Sequence, residues 1–480
     1  MRKTLPVVIV LLIACVCSQA QSPVVTAGTD FAAQPDPAMP ALPQIGQPMG
    51  QGAAGPTPFG TGEQPVLRFA GDNAPQNQFI FSLSDDTGYD DNVFGTDSFR
   101  KRDFFTDVGP RVTFLTSRKH VTFDLDYAPF FQVYKQYSGY DSVNQSLNLD
   151  AAAQISPRFE LRVRETAAEL YYGLVGGYGQ PVVSGLGPPG GTVPYFVNPD
   201  TRSISSRSRV DIIFNKSART TLDVFGDFST LNYKNLRGTA GQLFNLEAPN
   251  GGFSYSYRVN ARGTFSFTYD YGKSVYLKRL NPPRYQTQSA SLSYAYQFSK
   301  TLSASFWGGP EYTQLREILL LPLPPLGFIA VPINKPEWDW SAGLSVSRTT
   351  PVSTISLMAS RYVTSGGGLL TAIDDSMGEL RFSRRLTLGW TGNAGLTYSQ
   401  VQALSFGGLS SGRYNIALAH LGFDHKLGER ASLRLNYTGT RQRHGLGTTI
   451  AGTALDYANV DRNRASVGID WQIGKVHLGQ

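Results

Sequence analysis

Residues 289–312 read SASLSYAYQFSKTLSASFWGGPEY. Ala290, Leu292, Tyr294, Tyr296 and Phe298 fall on one side of an extended chain, and Ser289, Ser291, Ser293 and Gln297 on the other. After Ser299-Lys300-Thr301 the alternation resumes, with Leu302, Ala304 and Phe306 set against Ser303 and Ser305. Period-two alternation makes a β-strand with one apolar and one polar face, and two such runs across a very short polar turn make a hairpin. Each arm is about ten residues or longer, close to what a tilted strand needs to cross a bilayer.

The same unit recurs from Phe79 to the C-terminus, in about 18 alternating runs, with 16–18 as the range. The expected fold is all-β: a transmembrane, antiparallel, up-and-down β-barrel behind a disordered N-terminal leader. A chain of 480 residues has the length of two or three ordinary domains, but its composition points elsewhere. It has 50 Gly, 24 Tyr and 28 Phe, only 16% charged residues, and no long amphipathic helical pattern. Mean hydropathy is −0.20, as expected when only every second strand residue meets lipid.

The N-terminus has the layout of a secretory signal. Arg2 and Lys3 precede the apolar run Leu5 to Val16, and Ser18-Gln19-Ala20 is a small-x-small site for cleavage before Gln21. The apolar run falls short of the roughly 18 residues of a spanning helix. Leu12-Ile13-Ala14-Cys15 resembles a lipobox, so lipoprotein processing at Cys15 competes with signal peptidase cleavage. Both cysteines, Cys15 and Cys17, lie in this segment, and cleavage after Ala20 leaves a cysteine-free chain that a closed sheet in lipid must stabilise instead of disulfides. The formal charge of +7 falls to +5 without Arg2 and Lys3, too weak and scattered to suggest nucleic acid.

The domain reading is therefore a signal peptide at 1–20, a linker at 21–76 and a barrel at 77–480. The linker is rich in Pro, Gly, Ala and Gln, as in Gln34-Pro35-Asp36-Pro37, and has no sustained period. A short β-rich insert at Pro65-Val66-Leu67-Arg68-Phe69 is the one candidate for a segment that seals the barrel mouth. Within the barrel, one set of connections is short, polar and often basic, and the other runs from a few residues to about thirty. Outer-membrane barrels have short periplasmic turns and long outer loops, which places both termini in the periplasm. In the run after Tyr414 the apolar phase moves from Ile416 and Leu418 to Ala419, Leu421 and Phe423, which suggests a bulge.

The faces opposite the apolar ones carry the charges: Asp124 and Asp126; Asn148 and Asp150; Arg162 and Arg164; Arg207, Arg209 and Asp211; Asp223 and Asp227; Glu379 and Arg381. A charge facing lipid costs a few kcal/mol at the midplane, so these residues are expected to line the interior. Arg162 and Arg164 precede the longest loop, 173–201, and Arg207 and Arg209 follow it, so the four become neighbours across one hairpin. They form either an arginine-lined constriction favouring anionic solutes or a solvated wall in which Arg pairs with Asp across strands. The apolar run Ile318 to Val331 holds Pro322, Pro324 and Pro325, with Pro332 next. Its proline density argues against a regular strand and for a loop that folds into the pore or binds a partner or the outer leaflet.

Signals of chemistry are weak. His420 and His425 are five residues apart in a strand and so face opposite ways. The Gly-rich run Gly185 to Thr192 lacks a P-loop lysine. No G-x-S-x-G is present. The expectation is a protein that is not an enzyme and carries no cofactor or metal.

Gly88-Tyr89-Asp90-Asp91-Asn92-Val93-Phe94, directly after the first strand and behind a signal peptide and low-complexity leader, resembles the β-barrel porin type 2 group. The resemblance implies a porin-like outer-membrane barrel and, because some members of the group are associated with exopolysaccharide production or export, raises polysaccharide export as a role. Asp90, Asp91 and Asn92 sit where an outer loop binds a cation or a sugar, or where an Asx cluster simply makes a turn.

The expected function is passive diffusion of small hydrophilic solutes through a water-filled lumen in the outer membrane of a Gram-negative cell, since barrels of roughly 16–18 strands leave an aqueous channel. Alternatives are an exopolysaccharide-associated export or assembly barrel, and a closed adhesive or structural barrel whose loops bind. Expected partners are outer-membrane lipids and the barrel-assembly machinery, with polysaccharide, periplasmic export proteins or a second copy of the chain as further candidates.

Overall fold

Across the quoted hairpin Leu292 stands opposite Gly308, Tyr294 opposite Phe306 and Tyr296 opposite Ala304. The Tyr294 and Phe306 rings lie 5.9 Å apart, the cross-strand aromatic contact that alternation puts on one face.

The computed structural model describes residues 76–95, 100–118, 120–171, 174–175, 196–197, 201–235, 245–277, 284–323, 327–365, 372–403, 413–444 and 459–477. The signal segment, nearly all of the linker and the insert at 65–69 lie outside them. The strands are β1 (Gln76–Asp90), β2 (Asp103–Arg118), β3 (Val121–Tyr134), β4 (Ser142–Ser156) and β5 (Phe159–Tyr171). The short β6 (Leu174–Val175) and β7 (Phe196–Val197) pair only with each other. Next come β8 (Thr201–Ser217), β9 (Thr220–Asn235), β10 (Asn245–Arg258), β11 (Gly263–Leu277) and β12 (Arg284–Gln297). The longest pair is β13 (Leu302–Leu323) and β14 (Gly327–Thr349), followed by β15 (Ser353–Ser365) and β16 (Ala372–Arg385). The last four are β17 (Trp390–Ala403), β18 (Arg413–Lys426), β19 (Ala431–His444) and β20 (Val460–His477).

Apart from β6 and β7, all of them form one 18-stranded antiparallel sheet. Each strand pairs with the one before it, and β1 pairs with both β2 and β20, which closes the barrel and leaves no edge. The short connections 119–120, 157–158, 218–219, 259–262, 298–301, 350–352, 386–389 and 427–430 all fall at one end, together with the start of β1 and the end of β20. Small polar side chains make these turns. Ser156, Ser217, Asn260, Ser299 and Thr387 each accept a backbone N–H two or three residues on, the local bond that favours Ser, Thr and Asn in tight turns.

One face of the wall is an apolar band exposed to the outside, including Phe131, Ile212, Phe306, Leu396 and Ile469. Trp338, Trp340 and Trp471 are also exposed on it. The opposite face holds the polar and charged residues. An exterior of this kind, with the backbone bonds closed into a ring, fits a hydrocarbon solvent.

Two local expectations are corrected. Residues 318–323 and 327–331 are strand, not irregular loop: Leu319 pairs with Val331 and Pro322 with Phe328. Proline is tolerated because this part is a two-stranded ribbon with free edges. β12 stops pairing at Arg316, and β15 reaches only Ala342. Pro310 and Pro322 share one parity on β13, as do Pro332 and Pro336 on β14. Trp340, of the same parity as the latter pair, donates its N–H to the Asp339 carboxylate at 2.8 Å rather than to the ladder. The missing N–H groups of Pro322, Pro332 and Pro336 thus fall on the ribbon's outer sides, beyond the last pairs with β12 and β15, whereas Pro310 lies where the β12 ladder skips two positions, between Ser289↔Glu311 and Leu292↔Gly308.

The second correction is at β18. Its register with β19 is unbroken from Tyr414↔His444 to Lys426↔Ser432, so there is no bulge at Ala419. Ile416 and Leu418 are instead buried on the inner face, while Leu421 is exposed on the outer one. Register shifts occur elsewhere, between Phe81 and Ser82 opposite β20, at 154–156 and at 215–217.

The lumen wall as candidate functional site

Antiparallel pairing places Arg164 of β5 opposite Arg209 of β8, and Thr166 opposite Arg207. The four arginines of the long hairpin are therefore neighbours, as their spacing predicts. Each is occupied by an aspartate. Arg162 pairs with Asp150 of β4, Arg164 with Asp211 at 2.7 Å, and Arg207 with Asp227 of β9 at 3.1 Å. Arg209 pairs with Asp211 at 2.7 Å, lies 3.9 Å from Asp223, and sits 4.1 Å from the centre of the Phe225 ring. The guanidinium charge is cancelled where it stands, so the wall here is an ionic ladder rather than a bare cationic ring.

Asp126 accepts from Arg111 Nε at 2.6 Å and from Thr113 at 2.9 Å. Asp124 stands opposite Asp150, whose charge Arg162 takes, and has no hydrogen bond or ion pair among the described residues. It is the open carboxylate of this side. Glu379 and Arg381 pair with each other along β16 toward the short-turn end. All nine candidates lie on the face opposite the apolar band.

The sequence reading missed two features. From β10 to β14 the inner face is built of hydroxyls: Ser256 bonds Ser266 at 2.8 Å, Thr268 donates to Ser254 at 3.0 Å, and Ser289 donates to Asp270 at 2.9 Å. The alternation contained this information, because Ser289, Ser291 and Ser293 are the polar face of the quoted hairpin. The lumen thus has an ionic side and a hydroxyl side.

The other missed feature is the closing seam. Arg434 of β19 pairs with Asp86 at 2.6 Å and with Asp470 at 2.9 Å, all inside the wall. Arg462 pairs with Asp90 at 2.5 Å, and Arg464 lies 3.4 Å from Asp107. Pairs across hundreds of residues leave no local signal.

Asp90, Asp91 and Asn92 belong to this seam. Asn92 donates its backbone N–H to Asp90 Oδ1 at 3.0 Å and its side-chain amide to the Asp461 carbonyl at 2.8 Å. Asp91 accepts from the backbone and side chain of Asn463 at 2.6 and 2.7 Å. Val93 is buried with Phe105, Tyr134 and Tyr140, and Phe94 stacks on Tyr140 at 4.8 Å. The motif fastens the first strand to the last and to the β3–β4 connection.

His420 faces inward, 2.7 Å from Asn393 Oδ1, and His425 faces outward, stacked 4.4 Å from Trp390. Among the described residues no group of three or more His, Cys, Asp or Glu is placed to hold a metal ion. Along β3 the inner face is half-exposed toward the short-turn end, at Asp124 and Asp126, and buried toward the long-connection end, at Ala128, Phe130, Gln132 and Tyr134.

No protein-family model matches the chain, and no curated protein does. Among solved structures, Pseudomonas aeruginosa OccK2 (OpdF) is 14% identical with a TM-score of 0.42, covering 82% of this chain and 98% of that one. Pseudomonas aeruginosa OpdQ is 10% identical with a TM-score of 0.41, covering 83% and 99%. The outer membrane protein opdK of Pseudomonas aeruginosa is 12% identical with a TM-score of 0.40, covering 83% and 99%.

Proposed function

We propose that this barrel is a porin-like channel of the bacterial outer membrane that passes small hydrophilic solutes by passive diffusion. The observation that carries the reading is the wall itself. It is a closed ring of 18 strands, apolar outside, whose inner face is ionic on one side and hydroxylated on the other. Charges such as Asp124 and Arg381 have no reason to face inward unless water does. A ring of this strand number encloses more than its side chains fill.

Because arginine and aspartate are paired along the ionic side, ion selectivity is weak, and hydroxyl-bearing or zwitterionic solutes are the fitting cargo. Short turns and both barrel termini face the periplasm, the arrangement of outer-membrane barrels. No side chain is assigned a chemical step. Liposomes loaded with an impermeant polymer and carrying the refolded protein should swell in isotonic solutions of small sugars and amino acids, more slowly as the solute grows. Swelling no faster than in protein-free liposomes would remove the reading.

A further inference from the structure

Between β14 and β15 the wall is not paired along its full height. Their ladder runs from Thr349↔Thr354 to Ala342↔Arg361 and stops. β15 nevertheless stays paired with β16 as far as Ser365↔Ala372, and β14 stays with β13 to the ribbon tip. Above Ala342 the two strands part. At ~3.3 Å per residue and ~40° of tilt, Ala342 lies roughly 18 Å above Thr349, inside an apolar band about 25 Å tall. The parting therefore begins beside lipid.

Side chains bridge it. Arg361 donates both terminal nitrogens to Asp339 of β14, at 2.9 and 3.0 Å, and one of them to Asp374 of β16 at 2.8 Å. It also donates to the Trp340 carbonyl at 3.0 Å and covers the Trp340 ring at 4.4 Å. Glu311 of β13, buried in the wall, accepts the Val363 N–H at 3.5 Å, a bond that a continuous ladder would have given to β14. These links join rotatable side chains, so they can release and reform without unzipping a strand pair.

Both mouths of the parting carry large apolar side chains, set beside the buried polar groups Glu311, Ser341 and Asp375 and the Arg361–Asp339–Asp374 bridge. Inside, Leu315, Tyr362, Ile373 and Val401 are buried inner-face positions, unlike the ionic ladder across the lumen. Outside, Trp338 and Trp340 are exposed at the level of the outer interface.

We propose that the β14–β15 parting is a lateral portal through which an apolar or amphipathic solute passes between the lumen and the outer leaflet, with Arg361 as its latch. Such a solute partitions directly into lipid rather than crossing a polar surface. The inference rests on the reading of the barrel as a membrane channel.

The test uses intact Gram-negative host cells producing the full chain, with entry of the apolar dye 1-N-phenylnaphthylamine as readout. Ser341→Cys with Tyr362→Cys, next in register above Ala342↔Arg361, locks the parting when oxidised. Dye entry should fall to the empty-host background on oxidation and return on reduction, while conductance of the purified variant stays unchanged. Arg361→Ala should raise dye entry severalfold. Equal dye entry in oxidised, reduced and Arg361→Ala forms would overturn the portal. Conductance is read separately, so a folded protein that never conducts contradicts the channel reading instead, whatever the dye does.

Discussion

Arg462 of the last strand holds Asp90 of the first, donating from Nη2 at 2.5 Å and from Nε at 3.1 Å, with the Tyr134 hydroxyl adding a third donor to the same carboxylate at 3.2 Å. Both charged groups are buried. Removing one member of a buried pair leaves the other uncompensated, which costs about 3–5 kcal/mol. Asp90→Ala should therefore lower the urea midpoint of the refolded barrel sharply. Asp91→Ala, which loses only bonds the solvent can replace at an exposed site, should cost no more than about 1 kcal/mol. Equal effects would mean that the motif at 89–94 does not fasten the barrel.

A side chain at Gly309 has no room. A Cβ there would overlap the Ala290 carbonyl oxygen of β12, whereas one at Gly378 would meet nothing within 4 Å. Gly309→Ala should destabilise the barrel by about 1–3 kcal/mol, the usual cost of overpacking. Gly378→Ala should be close to neutral. Heat-modified mobility of the two variants compares them directly.

Selectivity tests the ionic ladder. Arg207→Glu with Arg209→Glu converts two occupied cations into carboxylates beside Asp211, Asp223 and Asp227. The reversal potential in a salt gradient should shift toward cations. Asp124→Asn, which removes the open carboxylate, should shift it the other way. An unchanged potential in both would show that these residues do not border the ion path.

The ribbon tip is separable from the wall. Residues 318–323 pair only with 327–332 of the same hairpin, so deleting 318–331 should leave folding yield and conductance at wild-type values. A loss of conductance would show that the tip reaches into the pore.

The barrel was legible in the sequence because lipid and water impose opposite demands on alternate residues, and the arms of the hairpin from Ser289 to Phe306 follow them closely, while Tyr285 and Leu315, nearer the long connections, are apolar residues on the inner face. The lumen candidates followed from the same rule. What escaped was whatever depends on partners far along the chain. Asp86 and Arg434 are separated by 348 positions, so nothing local marks them as a pair. Ile416 and Leu418 misled because an apolar residue was assigned to the lipid side, when the inner face toward the long connections is itself buried. Proline was over-weighted at 322 and 332: it forbids a bond only where a neighbouring strand offers one.

Single-channel recording of the refolded, heat-modifiable protein in planar bilayers tests most directly whether the lumen is water-filled. Discrete current steps that scale with salt concentration are the predicted result. A correctly folded barrel that inserts into the bilayer and passes no current at any voltage would contradict it.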